Sequence, residues 1–373
     1  MNELSAINSK AIGFTSIGNP INLILQLDRL SKIAGGYTLY VCLNIGQHIC
    51  GTDRYKILVD NCYKIIKSYE AKFKKIKILD LTLGQFLTHG ACIDQILHCF
   101  EEDAIAIFEE DAYIFDSNFF DEKFKQLNTH HIVMGMNRGE PNNKQFFAMI
   151  SSLATKEIRP GKESFFFLRK DLLHEFNWAS FDYLTLEKGM QLRLPYTDLC
   201  ATIEDWVGFD TSEFLSVCCT FHPKIKMSFY TEETYAYWPY FGENKFDEFY
   251  THYSSAMPYC HYFNSIVYYN LNYHNESNHT DMKEMSLKIP NPDIFLSHMS
   301  THILQLAMLR VCKQKYVAVI GIDEYNYHKK SLKHVLGYLF NYFGLWYVRH
   351  RMKMYTFLKF THKFVQNQHG PVL

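Results

Sequence analysis

The sequence predicts an α/β protein: a mostly parallel sheet flanked by helices on both faces, with a helical C-terminal extension. Three observations lead there. Short apolar runs alternate with amphipathic helical periods as far as residue 115. Gly, Asn, Thr or charged residues punctuate each change of period. An acidic triplet, Glu109 to Asp111, closes the fourth apolar run, at the strand end where open parallel sheets bind their ligands.

The elements follow in order. Ala11 to Thr15 is a buried strand and Ile21 to Ile33 an amphipathic helix. The Gly35-Gly36 break introduces a second strand, Tyr37 to Leu43. Tyr55 to Phe73 has helical spacing with a basic face, and Ile76 to Leu81 is the third strand. Phe86 to Phe100 is helical, and Ala104 to Phe108 is the fourth strand. Strand–helix units of this length require crossover connections, which are right-handed almost without exception.

After Asp116 the pattern changes. A short helix, Phe119 to Leu127, leads to a strand at His131 to Met136 and a polar loop, Asn137 to Asn143. Phe165 to Leu168 is strand-like, Asp171 to Phe176 a small helix, and Lys224 to Tyr230 strand-like again. Beyond Gly242 the composition becomes aromatic and polar, then helical at Ile303 to Val311 and Leu332 to Phe364. These shifts divide the chain into 1–115, 116–242 and a mainly helical 243–373, the first two forming one domain.

Composition narrows the function. With 47% hydrophobic and 21% charged residues the chain reads as folded and soluble, and its net charge of −1 gives no global attraction to nucleic acid or membrane. The ten cysteines form no CxxC or Cys/His zinc pattern and several sit in apolar runs, which suits small reduced hydrophobes in a cytoplasmic protein. MNELSAINSK has no apolar signal core, and no apolar run reaches membrane-spanning length. The sequons at Asn275 and Asn278 are then fortuitous.

Two acidic clusters carry the chemistry. In IAIFEEDAYIF the alternation of an extended segment points Glu109 and Asp111 to one side and Glu110 to the other. Carboxylates there suit Mg²⁺ or Mn²⁺, hard ions that prefer oxygen; a solvated acidic turn is the plain alternative. In TIEDWVGFD, Glu204 and Asp205 stand beside Trp206. A carboxylate against an aromatic suits a general base; the alternative is a helix start capped by Thr202.

Taken together, the strand–helix order, the acidic triplet and the later Glu-Asp-x pattern resemble a nucleotide-sugar glycosyltransferase of the GT-A (Rossmann-like) type, nearest the family 2 pattern. AIGFTSIGNP resembles its opening strand and loop, and IAIFEEDAYIF the strand with its Asp-x-Asp motif, here Glu-Glu-Asp. That variant, and LGQFLTHGA before it, are also similar to the family 25 lipopolysaccharide glycosyltransferases. FFFLRKDLLHEFNW and IEDWVGFD resemble the acceptor half.

The resemblance implies a metal held by Glu109 and Asp111, Asp205 as base for an acceptor hydroxyl, Glu204 as its orienter, and an inverting reaction. It implies a nucleotide pocket near Thr15, Asn19, Arg29 and Glu110, and Gly84, Gln85 and His89 in a segment closing over the donor. The donor would be a nucleotide-sugar, a UDP-sugar first, and the acceptor a glycan or lipid-linked glycan of the lipopolysaccharide or capsule kind.

The sequence departs from the family in two places: Asn44 stands where an acidic residue is usual, and there is no Gln-x-x-Arg-Trp motif. His222 is a further candidate metal ligand. Lys and Arg interleaved with aromatics from Lys329 to Phe364 suit an anionic membrane surface, on the inner face, or a helix packed on the domain; no nucleic-acid partner is expected. Two other functions fit less well, a sugar-phosphate nucleotidyltransferase and a non-catalytic membrane-associated scaffold.

Overall fold

The computed structural model describes residues 5–45, 52–82, 87–110, 112–114, 117–134, 144–154, 166–174, 184–194, 196–205, 207–209, 213–229, 250–252, 306, 309–330 and 332–333. Gly84, Gln85, Asp111, Trp206, the loop 137–143 and the tail from 334 onward lie outside them.

The first half alternates strand and helix: β1 (Lys10–Ser16), α1 (Pro20–Ile33), β2 (Thr38–Leu43), α2 (Thr52–Lys67), β3 (Lys75–Asp80), α3 (His89–Cys99) and β4 (Ala104–Glu109). Next come β5 (Ala112–Ile114), α4 (Phe119–Leu127), β6 (Ile132–Met134), α5 (Lys144–Ala154) and β7 (Phe166–Arg169). Four short strands, β8 (Leu184–Leu186), β9 (Gln191–Arg193), β10 (Cys200–Thr202) and β11 (Val207–Phe209), precede α6 (Glu213–Phe221) and β12 (Met227–Phe229). β13 (Tyr250–His252) and α7 (Lys313–Val319) follow, and residues 322–330 are also helical.

Seven strands form one sheet in the order β12-β6-β7-β4-β1-β2-β3. β1 to β4 are parallel, as are β6 and β12, while β7 runs antiparallel between β4 and β6. The outcome is a mostly parallel sheet with one reversed strand. Central β1, β2 and β4 are apolar along nearly their whole length because both faces are covered. Edge strand β3 instead carries Lys75, Lys77 and Asp80 among Ile76, Ile78 and Leu79, and these charges blunt pairing with another chain.

Alternation along β1 and β4 sends side chains to two apolar layers. Ile12, Phe14, Ala104, Ala106 and Phe108 pack with α1, α2 and residues from Leu309 to Leu332. Ala11, Ile105 and Ile107 pack with Cys92, Ile93, Ile96 and Leu97 of α3. A third cluster joins Phe146, Phe147 and Ile150 of α5 to Ala201, Ile203 and Val207 of the short strands and Phe221 of α6. The described part of the C-terminal region therefore packs on the domain: Leu309, Tyr316 and Leu332 are fully buried in the first layer. Among the described residues no helix is long and apolar enough to cross a membrane.

Four expectations are corrected. The helix expected over Tyr55–Phe73 ends at Lys67 and gives way to a 3₁₀ turn, Glu70–Lys72; fully buried Tyr69, whose hydroxyl donates to the Ile24 carbonyl, draws the chain toward α1 there. The helix expected from Phe86 starts at His89, where Thr88 accepts the Ala91 N–H as its cap. The small helix at Asp171 is a 3₁₀ turn, Lys170–His174. Thr202 caps no helix: it ends β10, whose partner is β9.

At the amino end of the central strands, the Asp103 carboxylate accepts the Asn8 and Ser9 N–H groups at 2.9 Å each and ties the N-terminal segment to the start of β4. Those backbone donors, Ser9 foremost, hold its carboxyl below the usual range. A lowered folded-state pKa stabilises above the unfolded value and is lost as pH falls through the folded one. Asp103→Asn is expected to melt earlier than the wild type at neutral pH, with the difference closing below about pH 4, as followed by thermal denaturation at stepped pH.

Candidate functional site at the carboxyl ends of β1 and β4

Register brings the candidate residues to one edge. Thr15 pairs with Glu109 across β1 and β4, Ser16 with Leu43, and Leu43 with Asp80. The connection from β1 to α1 is short and heavily bonded. Ser16 Oγ accepts the Gly18 N–H at 3.1 Å, and the Ser16 carbonyl accepts the Asn44 N–H at 2.9 Å. Gly18 has φ +87°, and a Cβ there would lie 2.8 Å from Ile45 Cδ1. Asn19 Oδ1 caps α1 by accepting the Ile21 and Asn22 N–H groups, and Pro20 opens the helix.

The acidic turn is held from behind. Gln26, fully buried in α1, donates from Nε2 to the carbonyls of Glu109 (3.3 Å) and Glu110 (3.1 Å). The Glu110 side chain turns back beneath the β1–α1 loop, 7% exposed, and its Oε2 accepts the Ile17 N–H at 3.0 Å. Its negative charge lies just ahead of the N-terminus of α1, a helix with no acidic residue in its own first turn. A charge that would be costly to bury alone is thereby met by backbone dipoles.

Glu109 faces the other way. By the alternation of β4 its side chain is on the α3 side, 17% exposed, and its Oε1 is 4.0 Å from Nδ1 of His89, the first residue of α3. Thr15, two residues beyond Gly13, whose Cβ direction meets Ile96 of α3, projects to the same side. Its Oγ1 is buried and has no hydrogen-bond partner among the described residues. The donor set, a sheltered carboxylate beside an imidazole, fits a divalent cation in chemistry. Among the described residues alone no group of three such side chains assembles, and Asp111 lies outside them.

Leu87, before α3, and Thr82, after β3, are each held by side chains of neighbouring elements. Asn44, 4% exposed, donates from Nδ2 to the Leu87 carbonyl (2.8 Å) and accepts the Leu87 N–H on Oδ1 (3.1 Å). The amide thus imitates one step of a strand ladder, which a carboxylate could not do because it has no donor. On the near side, Asp80 accepts the Thr82 N–H and the Tyr63 hydroxyl, and the Tyr55 hydroxyl donates to the Thr82 carbonyl. Burial alone would raise the Asp80 pKa, but the bonds from Thr82 and Tyr63 outweigh it and the net shift is downward. Residues 83–86, with the expected Gly84 and Gln85, lie outside the described residues.

The other expected residues are placed elsewhere or differently occupied. Arg29 Nε donates to the Ile114 carbonyl at 2.6 Å, tying α1 to β5. Glu204 and Asp205 are exposed, between buried Ile203 and Val207 of the third cluster. The His222 ring stacks edge-on to Tyr196 at 4.5 Å, and its Nδ1 accepts the Lys224 N–H. Sequence reasoning missed Gln26 and the Asn44 clamp. The signal for Gln26 was a polar residue, with Asn22 one turn before it, inside the apolar stripe of α1.

An α/β sheet with a carboxylate, an imidazole and a bonded loop at its carboxyl edge is the class these observations define. No family model and no curated protein matches the chain. Among solved structures it is similar to glucosyl-3-phosphoglycerate synthase from Mycobacterium tuberculosis. In the complex with Mn²⁺ and uridine-diphosphate-glucose the identity is 14% and the TM-score 0.31, covering 45% of this chain and 58% of that one. The complex with phosphoglyceric acid gives 13% and 0.31, over 44% and 58%. The chain thus spans less than two thirds of the length of these structures. The architecture of this chain stands on its own strand order.

Two substitutions probe the frame of the site. Asn44→Ala leaves the Leu87 N–H and carbonyl without this partner and is expected to cost about 1–3 kcal/mol, read by urea denaturation. Gly18→Ala forces a side chain into the positive-φ region, for about 1–2 kcal/mol, with crowding against Ile45 added; a melt equal to the wild type would contradict the assigned loop.

Proposed function

We propose that the chain is a metal-dependent glycosyltransferase of the GT-A type that moves a sugar from a nucleotide-sugar, UDP-linked first, to a hydroxyl of a glycan or glycolipid acceptor. The observation that carries this reading is the division of the acidic turn. Glu110 is turned back and bonded to the β1–α1 loop, while Glu109 stands at the open carboxyl edge of the sheet beside His89. The resemblance of the flanking motifs supports the same reading.

Glu109 and Asp111 would hold the cation, which would supply positive charge to stabilise the departing nucleotide diphosphate. The β1–α1 loop, with Thr15 and Asn19, forms one wall for the nucleotide. Asp205, on an exposed turn, accepts the proton of the acceptor hydroxyl, and Glu204 orients it; attack on the anomeric carbon from the far side of the nucleotide inverts its configuration.

The test joins binding to chemistry. UDP with Mn²⁺ is expected to raise the melting temperature, by an amount equivalent to about 2.7 kcal/mol at a hundredfold excess over Kd, and Asp111→Asn to abolish the rise. Asp205→Asn is expected to keep that rise while losing on the order of 10²–10⁴ in transfer or donor hydrolysis. A melt unmoved by every nucleotide with Mn²⁺ refutes the reading.

A further inference from the structure

His89 and Glu109 come from separate connections, the start of α3 and the end of β4, yet their side chains converge. At 4.0 Å the pair is too long for a hydrogen bond. Both side chains are sheltered without being sealed, at 28% and 17% exposure. Beside them, on the same side of the sheet, lies the Thr15 hydroxyl, more than nine-tenths buried with no partner among the described residues. An ion pair alone explains the first observation and not the second.

A divalent cation explains both. Nitrogen and carboxylate-oxygen ligands stand about 2.0–2.2 Å from Zn²⁺ or Mg²⁺. Two ligands of one octahedral ion are then roughly 3 Å apart when adjacent and a little over 4 Å when opposite, and the observed 4.0 Å is close to the second. Such an ion carries water or substrate oxygens on its remaining positions, and these would give the Thr15 hydroxyl its missing partner.

We propose that His89 is a nitrogen ligand of the divalent cation held by Glu109, with the Thr15 hydroxyl bonded to an oxygen on that ion. This rests on the metal-dependent reading of the site. It adds a selectivity: an imidazole ligand favours Mn²⁺, Co²⁺ or Zn²⁺ over Mg²⁺, which prefers oxygen and retains its waters.

The test is Mn²⁺ binding to the full chain, followed by electron paramagnetic resonance with spin-echo detection of ¹⁴N coupling, and by competition with Mg²⁺. The wild type is expected to show ¹⁴N modulation on bound Mn²⁺. His89→Ala should lose it and weaken Mn²⁺ by tenfold or more while changing Mg²⁺ by less than twofold. His89→Gln, closer in size, repeats the measurement should the alanine variant not fold, which a melt reveals. Glu109→Gln should weaken both ions. Modulation that persists without His89, or equal losses for Mn²⁺ and Mg²⁺, overturns the role of His89 and leaves the Glu109 site standing. A wild type that binds no Mn²⁺, or a Glu109→Gln chain that binds it unchanged, overturns the metal reading as well.

Discussion

The constraint on which the candidate site depends is the burial of one carboxylate, Glu110, against the backbone of the β1–α1 loop. Three consecutive acids at the end of a buried strand repel one another, and a sheltered carboxylate needs donors. Glu110 is met by the Ile17 N–H, and the carbonyls of Glu109 and Glu110 are met by Gln26. Two connections far apart in sequence are thereby stitched at one point. With Glu110 turned inward, the pleat leaves Glu109 on the α3 side, next to His89.

Around that point the connections at the sheet edge are fixed by polar side chains acting on backbone. Asn19 caps α1, Ser16 bonds Gly18, Asn44 bonds Leu87 and Asp80 bonds Thr82. Each satisfies groups that leave regular structure at the strand ends, where unpaired N–H and C=O groups would otherwise be costly. The residues available to a ligand stand on this scaffold, so their spacing is set by the sheet register. Rigid seating of that kind suits a site that must hold a charged ligand in one geometry.

The second half is built on a different principle. β7 enters the sheet antiparallel between β4 and β6, and a separate apolar cluster gathers α5, α6 and the short strands. Glu204 and Asp205 ride on that cluster through Ile203 and Val207. The two acidic motifs that look alike in sequence therefore rest on different foundations, one on the main sheet and one on small hairpin-like strands.

The sequence by itself determined the first four strands and the three helices between them, because buried parallel strands and amphipathic helices leave unmistakable periods in IAIF, TLYVCL and the α1 stripe. It also located the acidic turn at a strand end and, by strand alternation, separated Glu110 from Glu109. Only the tertiary structure decided the strand order, the reversal of β7, and the partners of Asn44, Gln26, Arg29 and His89. Those are pairings between residues tens of positions apart, and a period along one element carries no information about what lies across from it. The 3₁₀ turn after α2 shows the same limit: helical spacing ran on to Phe73, but the long-range bond from Tyr69 to Ile24 ended the helix first.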